Sequence, residues 1–353
     1  MSRFLSEATK KLTPYTPGEQ PGDRKYIKLN TNESPYSPSL LVSRALAESS
    51  AEQLRLYPDM SAKALRRAAS DVYGLPDDWI FAGGGSDEIL GFAFKAFFEN
   101  GGKALFPDIS YGFYSVYADL FGLEKQKIPL AEDFTITPED YFDAPGHILI
   151  ANPNAPTGIV LAAPQIEAIL RANPYRLVIL DEAYIDFSPG ASCVPLVKKY
   201  DNLLVVHTFS KSRALAGMRL GLGFGRPELI AGLERIKYSF NPYNIDHVSM
   251  AVGVAALSDR EYLEKTTALI IKTRENTAQR LHSMGFEVLP SGANFLFARH
   301  ENKPGGLLYN ALRDRGILVR HWDLPRIKDF LRITIGTDKE MDALCAALAD
   351  ILC

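Results

Sequence analysis

The sequence predicts an α/β protein: a large domain on a mostly parallel sheet covered by helices, followed by a smaller α+β domain. Three observations carry this. Short Val/Ile/Leu/Phe runs alternate with helical patterns up to about residue 245. Those runs are apolar on both faces, as strands buried between two layers of helices must be. The chain has 353 residues, 46% hydrophobic and 23% charged, enough for one large domain and a smaller one.

Taken in order, residues 1–30 carry Pro14, Pro17 and Pro21 and few periodic apolar positions, so they read as an arm laid over other parts of the chain. Residues 31–245 form the large domain. Its clearest strands are KALFPD, HILIANPN, RLVILDEAY and NLLVVHTFSK. Each ends in polar or special residues: Pro107-Asp108, Asn152-Pro153-Asn154, Asp181-Glu182 and Ser210-Lys211. Ligands of open α/β sheets bind outside the carboxyl ends of the strands. Four such ends together predict an enzyme. Residues 246–353 form the smaller domain. It opens with one long helical stretch, MAVGVAALSDREYLEKTTALIIKTRENTAQRLHSMG, broken at Gly285. Strand candidates FEVLP, ANFLFAR, GILVR and FLRITIG follow, and a helix around Lys339 to Leu352 ends it.

Composition excludes several classes. A net charge of −3 and a pI near 6.1 give no footprint for nucleic acid or a membrane surface. No apolar run reaches the roughly 18 residues of a membrane span, and the first residues lack the apolar core of a secretion signal. The three cysteines, Cys193, Cys345 and Cys353, form no CxxC, so no disulfide framework is expected and a cytoplasmic location fits. The six histidines are scattered, and no metal site is expected.

Chemistry concentrates at four places. Lys211 follows a buried strand, where burial opposes its charge, and an uncharged amine is the nucleophile for carbonyl carbon. The turn TFSKSRALAGMRLG sets Ser210, Ser212 and Arg219 around it, able to hold a phosphate and an aldehyde together. Asp181, ending a buried strand, must be paired: either as a helix cap or structural ion pair, or facing a protonated ring nitrogen, with Tyr184 in reach of the same ligand. Gly83-Gly84-Gly85-Ser86-Asp87-Glu88 opens a helix whose first N–H groups attract phosphate. This is neither a P-loop nor a dinucleotide fingerprint, because GLGFGR at 221–226 has arginine where the third glycine belongs. With the aromatics Tyr111, Phe113 and Tyr114, these residues make up what pyridoxal phosphate requires of a protein: a lysine, an acid for the pyridine nitrogen and a ring to stack on it.

Across nearly its whole length the chain resembles the fold-type I aminotransferases of the class I/II group, and within them the histidinol-phosphate aminotransferases. The matching stretches are LNTNESPYSPS, LRLYPD, GGGSDE, DISYGFY, NPNAPTG, DEAYIDF, TFSKSRALAGMRLG, ANFLFAR and LRITIGT, with GSDE and NPYNID leaning to the histidinol-phosphate branch. The resemblance implies pyridoxal 5′-phosphate as cofactor. It implies Lys211 as the residue that bonds the cofactor and moves the proton, Asp181 as the partner of the ring nitrogen, and Tyr184 as the phenol on the ring oxygen. Tyr111 would stack on the ring, and Ser86, Asp87, Ser210 and Arg219 would hold the phosphate. Tyr57 would reach into a neighbouring subunit, which implies a homodimer. Arg332, the more variable Arg320, and Asn294 would bind substrate. One departure stands out: the family often has Asn-Asn before Pro-Thr-Gly, the second on the ring oxygen, and this chain has Asn154-Ala155. Asn154 reaches in from one position earlier, or Tyr184 holds the oxygen alone, or the asparagines only shape the turn.

The activity implied is transfer of the amino group of L-histidinol phosphate to 2-oxoglutarate, giving imidazole-acetol phosphate and glutamate, in histidine biosynthesis. An aromatic amino acid aminotransferase would keep every residue named, and a threonine-phosphate decarboxylase shares the fold. A cofactor-sensing regulator would need a basic DNA-binding segment, and the net charge of −3 argues against one.

Overall fold

The structure, a computed structural model, describes residues 2–99 and 101–353. An arm with helix α1 (Glu7–Lys11) and strand β1 (Ile27–Lys28) leads into helices α2 (Leu40–Glu48) and α3 (Lys63–Tyr73). Strands and helices then follow in the order β2 (Ile80–Gly83), α4 (Ser86–Phe97), β3 (Lys103–Pro107), α5 (Phe113–Leu120), β4 (Glu124–Ile128), β5 (His147–Ala151), α6 (Ala163–Ala172), β6 (Val178–Asp181), β7 (Leu203–Thr208) and β8 (Gly221–Phe224). These strands form one sheet in the order β2-β8-β7-β6-β5-β3-β4. All neighbours from β7 to β4 pair in parallel, and β8 runs antiparallel between β7 and β2.

The two-faced apolar runs have a direct explanation. Successive side chains of a strand point to opposite faces. Ile148, Ile150, Val178, Leu180, Leu203 and Val205 enter one core. Their alternates Leu149, Ala151, Ile179, Leu204 and Val206 enter a second core on the other face. Each side chain removed from water contributes roughly 1.5–3 kcal/mol, so neither face tolerates a polar residue, and the polar positions collect at the strand ends.

Helix α7 (Pro227–Phe240) covers the large sheet, and two helices follow where the sequence reads as one: α8 (His247–Ser258) and α9 (Arg260–Ser283). The break is at Asp259, whose side chain accepts from the Tyr262 N–H and so starts a new helix. Helix α8 packs on α2 and α3, beside the large sheet, while α9 turns toward the C-terminal elements. Those are β9 (Phe286–Val288), β10 (Phe295–His300), α10 (Gly305–Asp314), β11 (Ile317–Leu318), β12 (Arg320–His321), β13 (Phe330–Thr334) and α11 (Asp338–Leu352). An antiparallel sheet in the order β12-β13-β10-β9 packs Leu296, Leu331 and Ile333 against Leu308, Leu312 and Leu344 of the helices.

The arm belongs to this smaller body. β1 pairs in parallel with β11, Ile27 opposite Ile317, and Leu29 is buried in the C-terminal core. Three strands of the large sheet escape the sequence reading. β4 is the polar edge segment EKQKI, β8 is the glycine-rich GLGF, and β2 is the short IFAG, so none shows an extended apolar run.

Candidate active site

The carboxyl ends of β2, β3, β5, β6 and β7 lie along one edge of the large sheet, and the arm and the small sheet close over them. The space between is a cavity of about 580 Å³.

Asp181 ends β6 at its floor and is 6% exposed. Its Oδ2 accepts from the Tyr114 hydroxyl at 3.0 Å and its Oδ1 from the Ala183 N–H at 3.2 Å. Burial pushes its carboxyl up to about 6, against the Tyr114 hydrogen bond, which lowers it, while the charge of Asp87 adds to the rise. A buried carboxyl with neutral partners only is a seat for a cation. Glu182, one residue on, serves the other side. Its Oε1 accepts from the Cys193 N–H at 2.6 Å, and its Oε2 accepts from Ser192 Oγ at 2.7 Å and lies 2.8 Å from His207 Nε2.

Lys211, three residues past β7, points into the cavity. Its Nζ donates to the Thr31 carbonyl at 3.2 Å and lies 5.7 Å from the centre of the Tyr184 ring. The Tyr184 ring is held edge-on by Phe295, at 5.1 Å and 90°, and packs against Ala155.

The cup at the start of α4 is narrow by construction. Gly85 has φ +93°, and a Cβ there would meet Arg219 Nη2 at 2.8 Å. A Cβ on Gly221 of β8 would meet the Gly85 carbonyl carbon at 2.6 Å, so glycine at both positions lets β8 approach the turn. Arg219 reaches Asp87 Oδ2 at 3.1 Å and Ser210 Oγ at 3.4 Å, and Tyr111 donates to Asp87 Oδ1 at 3.0 Å. Ser86, Asp87, Ser210 and Arg219 therefore surround one space at a helix N-terminus, where anions are favoured. Tyr111 meets Tyr114 edge-on at 5.6 Å beside them.

At the opposite end, Arg320 and Arg332 sit directly across from each other on β12 and β13. Like charges so placed repel, and neither forms an ion pair among the described residues. Arg332 donates to the Asn30 carbonyl at 3.0 Å, its Nε is buried without a partner, and burial pushes its guanidinium below its usual value. Arg320 donates to the carbonyls of Thr16 and Pro17 in the arm, at 3.1 and 3.0 Å. Trp322 lies between, 5.2 Å from each guanidinium. Two unneutralised guanidiniums make a second anion site.

Three expected site residues lie outside the cavity. Asn154 is committed to its turn: Oδ1 accepts from Ser110 Oγ at 2.8 Å, and Nδ2 donates to the Ile109 carbonyl at 3.0 Å and Thr157 Oγ1 at 3.2 Å. These bonds face β3, so the side chain shapes the loop and Ala155 lines the cavity in its place. Asn294 stands behind the wall, its Nδ2 donating to the Asn32 carbonyl at 3.0 Å. Tyr57 is 80% exposed and stacks on Tyr243 with ring centres 4.4 Å apart. The cavity also gains Tyr15, Asn32 and Trp322, which the sequence reading missed. All three come from segments between regular elements, without a period; the signals were the arm's prolines for Tyr15 and the stretch LNTNESPYSPS for Asn32.

The model of the family described as aminotransferase class I and II matches residues 24–348. The chain belongs to this family. Among curated relatives of the aminotransferase, the histidinol-phosphate aminotransferase of Brachyspira hyodysenteriae is 52% identical over 97% of each chain. That of Chromohalobacter salexigens is 51% identical over 99% of each. The aminotransferase superimposes on the Sinorhizobium meliloti histidinol-phosphate aminotransferase, solved with pyridoxal-5′-phosphate, with a TM-score of 0.90 at 25% identity, over 100% of this chain and 98% of that one. The Clostridium acetobutylicum histidinol-phosphate aminotransferase gives 0.85 at 27%, over 92% and 99%. The fold is that of these enzymes, a mostly parallel sheet between helices with a smaller C-terminal sheet.

Proposed function

We propose that this aminotransferase exchanges an amino group between L-histidinol phosphate and 2-oxoglutarate, in histidine biosynthesis. The observation that carries the reading is one cavity with an amine and a buried carboxyl at its centre and an anion site at each end. Its support in relatives is the naming of chains about half identical over nearly their full length.

The cofactor is pyridoxal 5′-phosphate, and the cavity fits it. The helix-start cup offers Ser86, Asp87, Ser210 and Arg219 for a phosphate, and Gly85 leaves room that a side chain would fill. The buried carboxyl of Asp181, without a cation of its own, suits a protonated ring nitrogen, and Tyr184 offers a phenol to the ring oxygen. When bound, the cofactor supplies an electron-withdrawing ring that accepts charge when a proton leaves the amine-bearing carbon. Lys211 would take that proton and return it two atoms away, to the carbon on the far side of the nitrogen, as base and then acid. Asp181, aimed by Tyr114 and the Ala183 N–H, keeps the ring nitrogen protonated. Arg320 and Arg332 bind the substrate's distant anion, phosphate in one half-reaction and carboxylate in the other.

The test is the visible colour of the purified protein. L-Histidinol phosphate is expected to bleach it and 2-oxoglutarate to restore it. Bleaching by phenylalanine or tyrosine alone moves the assignment to the aromatic enzymes. Carbon dioxide release from threonine phosphate makes it a decarboxylase. Arg332→Gln is expected to lower kcat/KM for both substrates roughly 10- to 150-fold, the worth of one charge-assisted hydrogen bond of about 1.5–3 kcal/mol. An unchanged ratio removes Arg332 from the anion site.

We further propose a homodimer in the cytoplasm. Leu54, Leu56, Tyr57 and Phe240 are large, apolar and exposed on one chain, and a second copy is what would cover them. Tyr57 then serves its neighbour, which agrees with its distance from the cavity of its own chain. Sedimentation is expected to give twice the 39.1 kDa of the chain, and a monomer overturns this. No helix among the described residues is long and apolar enough to cross a membrane.

A further inference from the structure

Asn32 is 1% exposed and holds a left-handed conformation, φ +57°, which asparagine tolerates better than most residues. Its polar groups are all engaged. The main-chain N–H donates to Thr334 Oγ1 at 3.0 Å, and the same hydroxyl donates to Asn32 Oδ1 at 3.0 Å. The carbonyl accepts from Asn294 Nδ2, and Nδ2 donates to the Tyr184 hydroxyl oxygen at 3.0 Å.

This network has a direction. The Thr334 hydroxyl already accepts from the backbone, so its own proton needs an acceptor, and the side-chain oxygen of Asn32 is the one in reach. The amide nitrogen is thereby turned toward Tyr184. A phenol oxygen that accepts there sends its own proton elsewhere, and the open side is the cavity. Among the described residues Tyr184 has no other polar side-chain partner: Ala155 flanks its ring, and Asn154 faces away.

We propose that Asn32 is a positioning residue that aims the Tyr184 O–H into the cavity, toward the ring oxygen of the cofactor. The inference rests on the reading of Tyr184 as partner of that oxygen. It also accounts for alanine at position 155: the phenol is oriented from the arm side, so no second donor is needed beside it.

The readout is the pH midpoint of the colour change of the cofactor-loaded enzyme. A hydrogen bond to the ring oxygen favours the form with most negative charge there, which is the form that has lost its proton, so weakening the bond raises the midpoint. The other titratable groups facing Tyr184 are Lys211, Arg332, Tyr15 and Tyr114, and every variant leaves them in place. Asn32→Gly keeps the left-handed backbone and removes the amide. It is expected to raise the midpoint by about one pH unit, the effect of one hydrogen bond. Tyr184→Phe is expected to raise it further. A raised midpoint in Tyr184→Phe with none in Asn32→Gly overturns the role of Asn32 and leaves the reading of Tyr184 intact. No change in either variant overturns that reading first. Should Asn32→Gly fail to fold, Asn32→Asp keeps the Thr334 acceptor and the main-chain bonds. Its carboxylate captures the phenol proton, and the midpoint must rise at least as far; an unmoved midpoint overturns the proposal.

Discussion

Lys211→Ala is expected to lower the transamination rate by roughly 10⁴-fold or more while the protein remains folded and still takes up the cofactor. The large effect follows from the geometry. Among the described residues Nζ has one hydrogen-bond partner, the Thr31 carbonyl, and the other lysine on the cavity lining, Lys127, belongs to the edge strand β4. The small effect on folding follows too, because Lys211 forms no ion pair among the described residues and is only half-buried. Single-turnover assays with each substrate check this. A variant that keeps more than a hundredth of the wild-type rate moves the proton transfer to another group.

Asp181→Asn acts on stability as well as rate, and with opposite sign in the two forms of the enzyme. In the cofactor-free protein the folded carboxyl titrates at about 6 against 3.8 for an ordinary aspartate. The folded state therefore binds this proton more tightly than the unfolded state. Below pH 3.8 both states are protonated and the group contributes no difference. As pH rises to 6, the unfolded chain ionises first, and folding loses about 3 kcal/mol that is not regained at higher pH. Asparagine stays neutral: its one oxygen accepts from the Ala183 N–H, and its NH2 donates to the Tyr114 hydroxyl, which turns to accept. The cofactor-free variant is therefore expected to be more stable than the parent by up to about 3 kcal/mol at pH 7.5 and no more stable below pH 4. With cofactor bound the order reverses, because the parent gains the binding energy of the ring-nitrogen pair. Urea titrations of both forms at both pH values check this, and equal midpoints for the cofactor-free proteins at pH 7.5 overturn it.

What the sequence made legible was set by how far each signal sits from its partner. β5, β6 and β7 stand out because each must be apolar on both faces, and Asp181 and Lys211 stand out because they interrupt that rule at its edge. Arg219 stands out because a short turn ties it to Ser210. β8 does not: Gly221 is there for the Gly85 turn it touches and Gly223 packs against Ile89 and Phe81, and the two glycines hide its strand character. Asn32 sits in the stretch LNTNESPYSPS, yet its role was hidden, since its partners Tyr184 and Thr334 lie 152 and 302 residues away and nothing local marks a left-handed asparagine as different from a loop residue. Asn154 misleads for the converse reason. Its partners are Ser110 and Ile109 on a neighbouring loop, and only the folded chain shows that they engage it fully.

The pairing of β1 with β11 also dictates an order of events during synthesis. Ile27 leaves the ribosome early, yet its strand partner Ile317 comes within the last tenth or so of the chain. The large sheet, complete by Phe224, can form while the arm waits unpaired. Arg320 and Arg332 arrive later still, so the anion end of the cavity is assembled last. A chain released before Ile317 keeps Lys211 and Asp181 but has neither the small sheet that closes over them nor Arg320 and Arg332. Premature termination thus leaves the large sheet without the layer that makes its open edge a cavity.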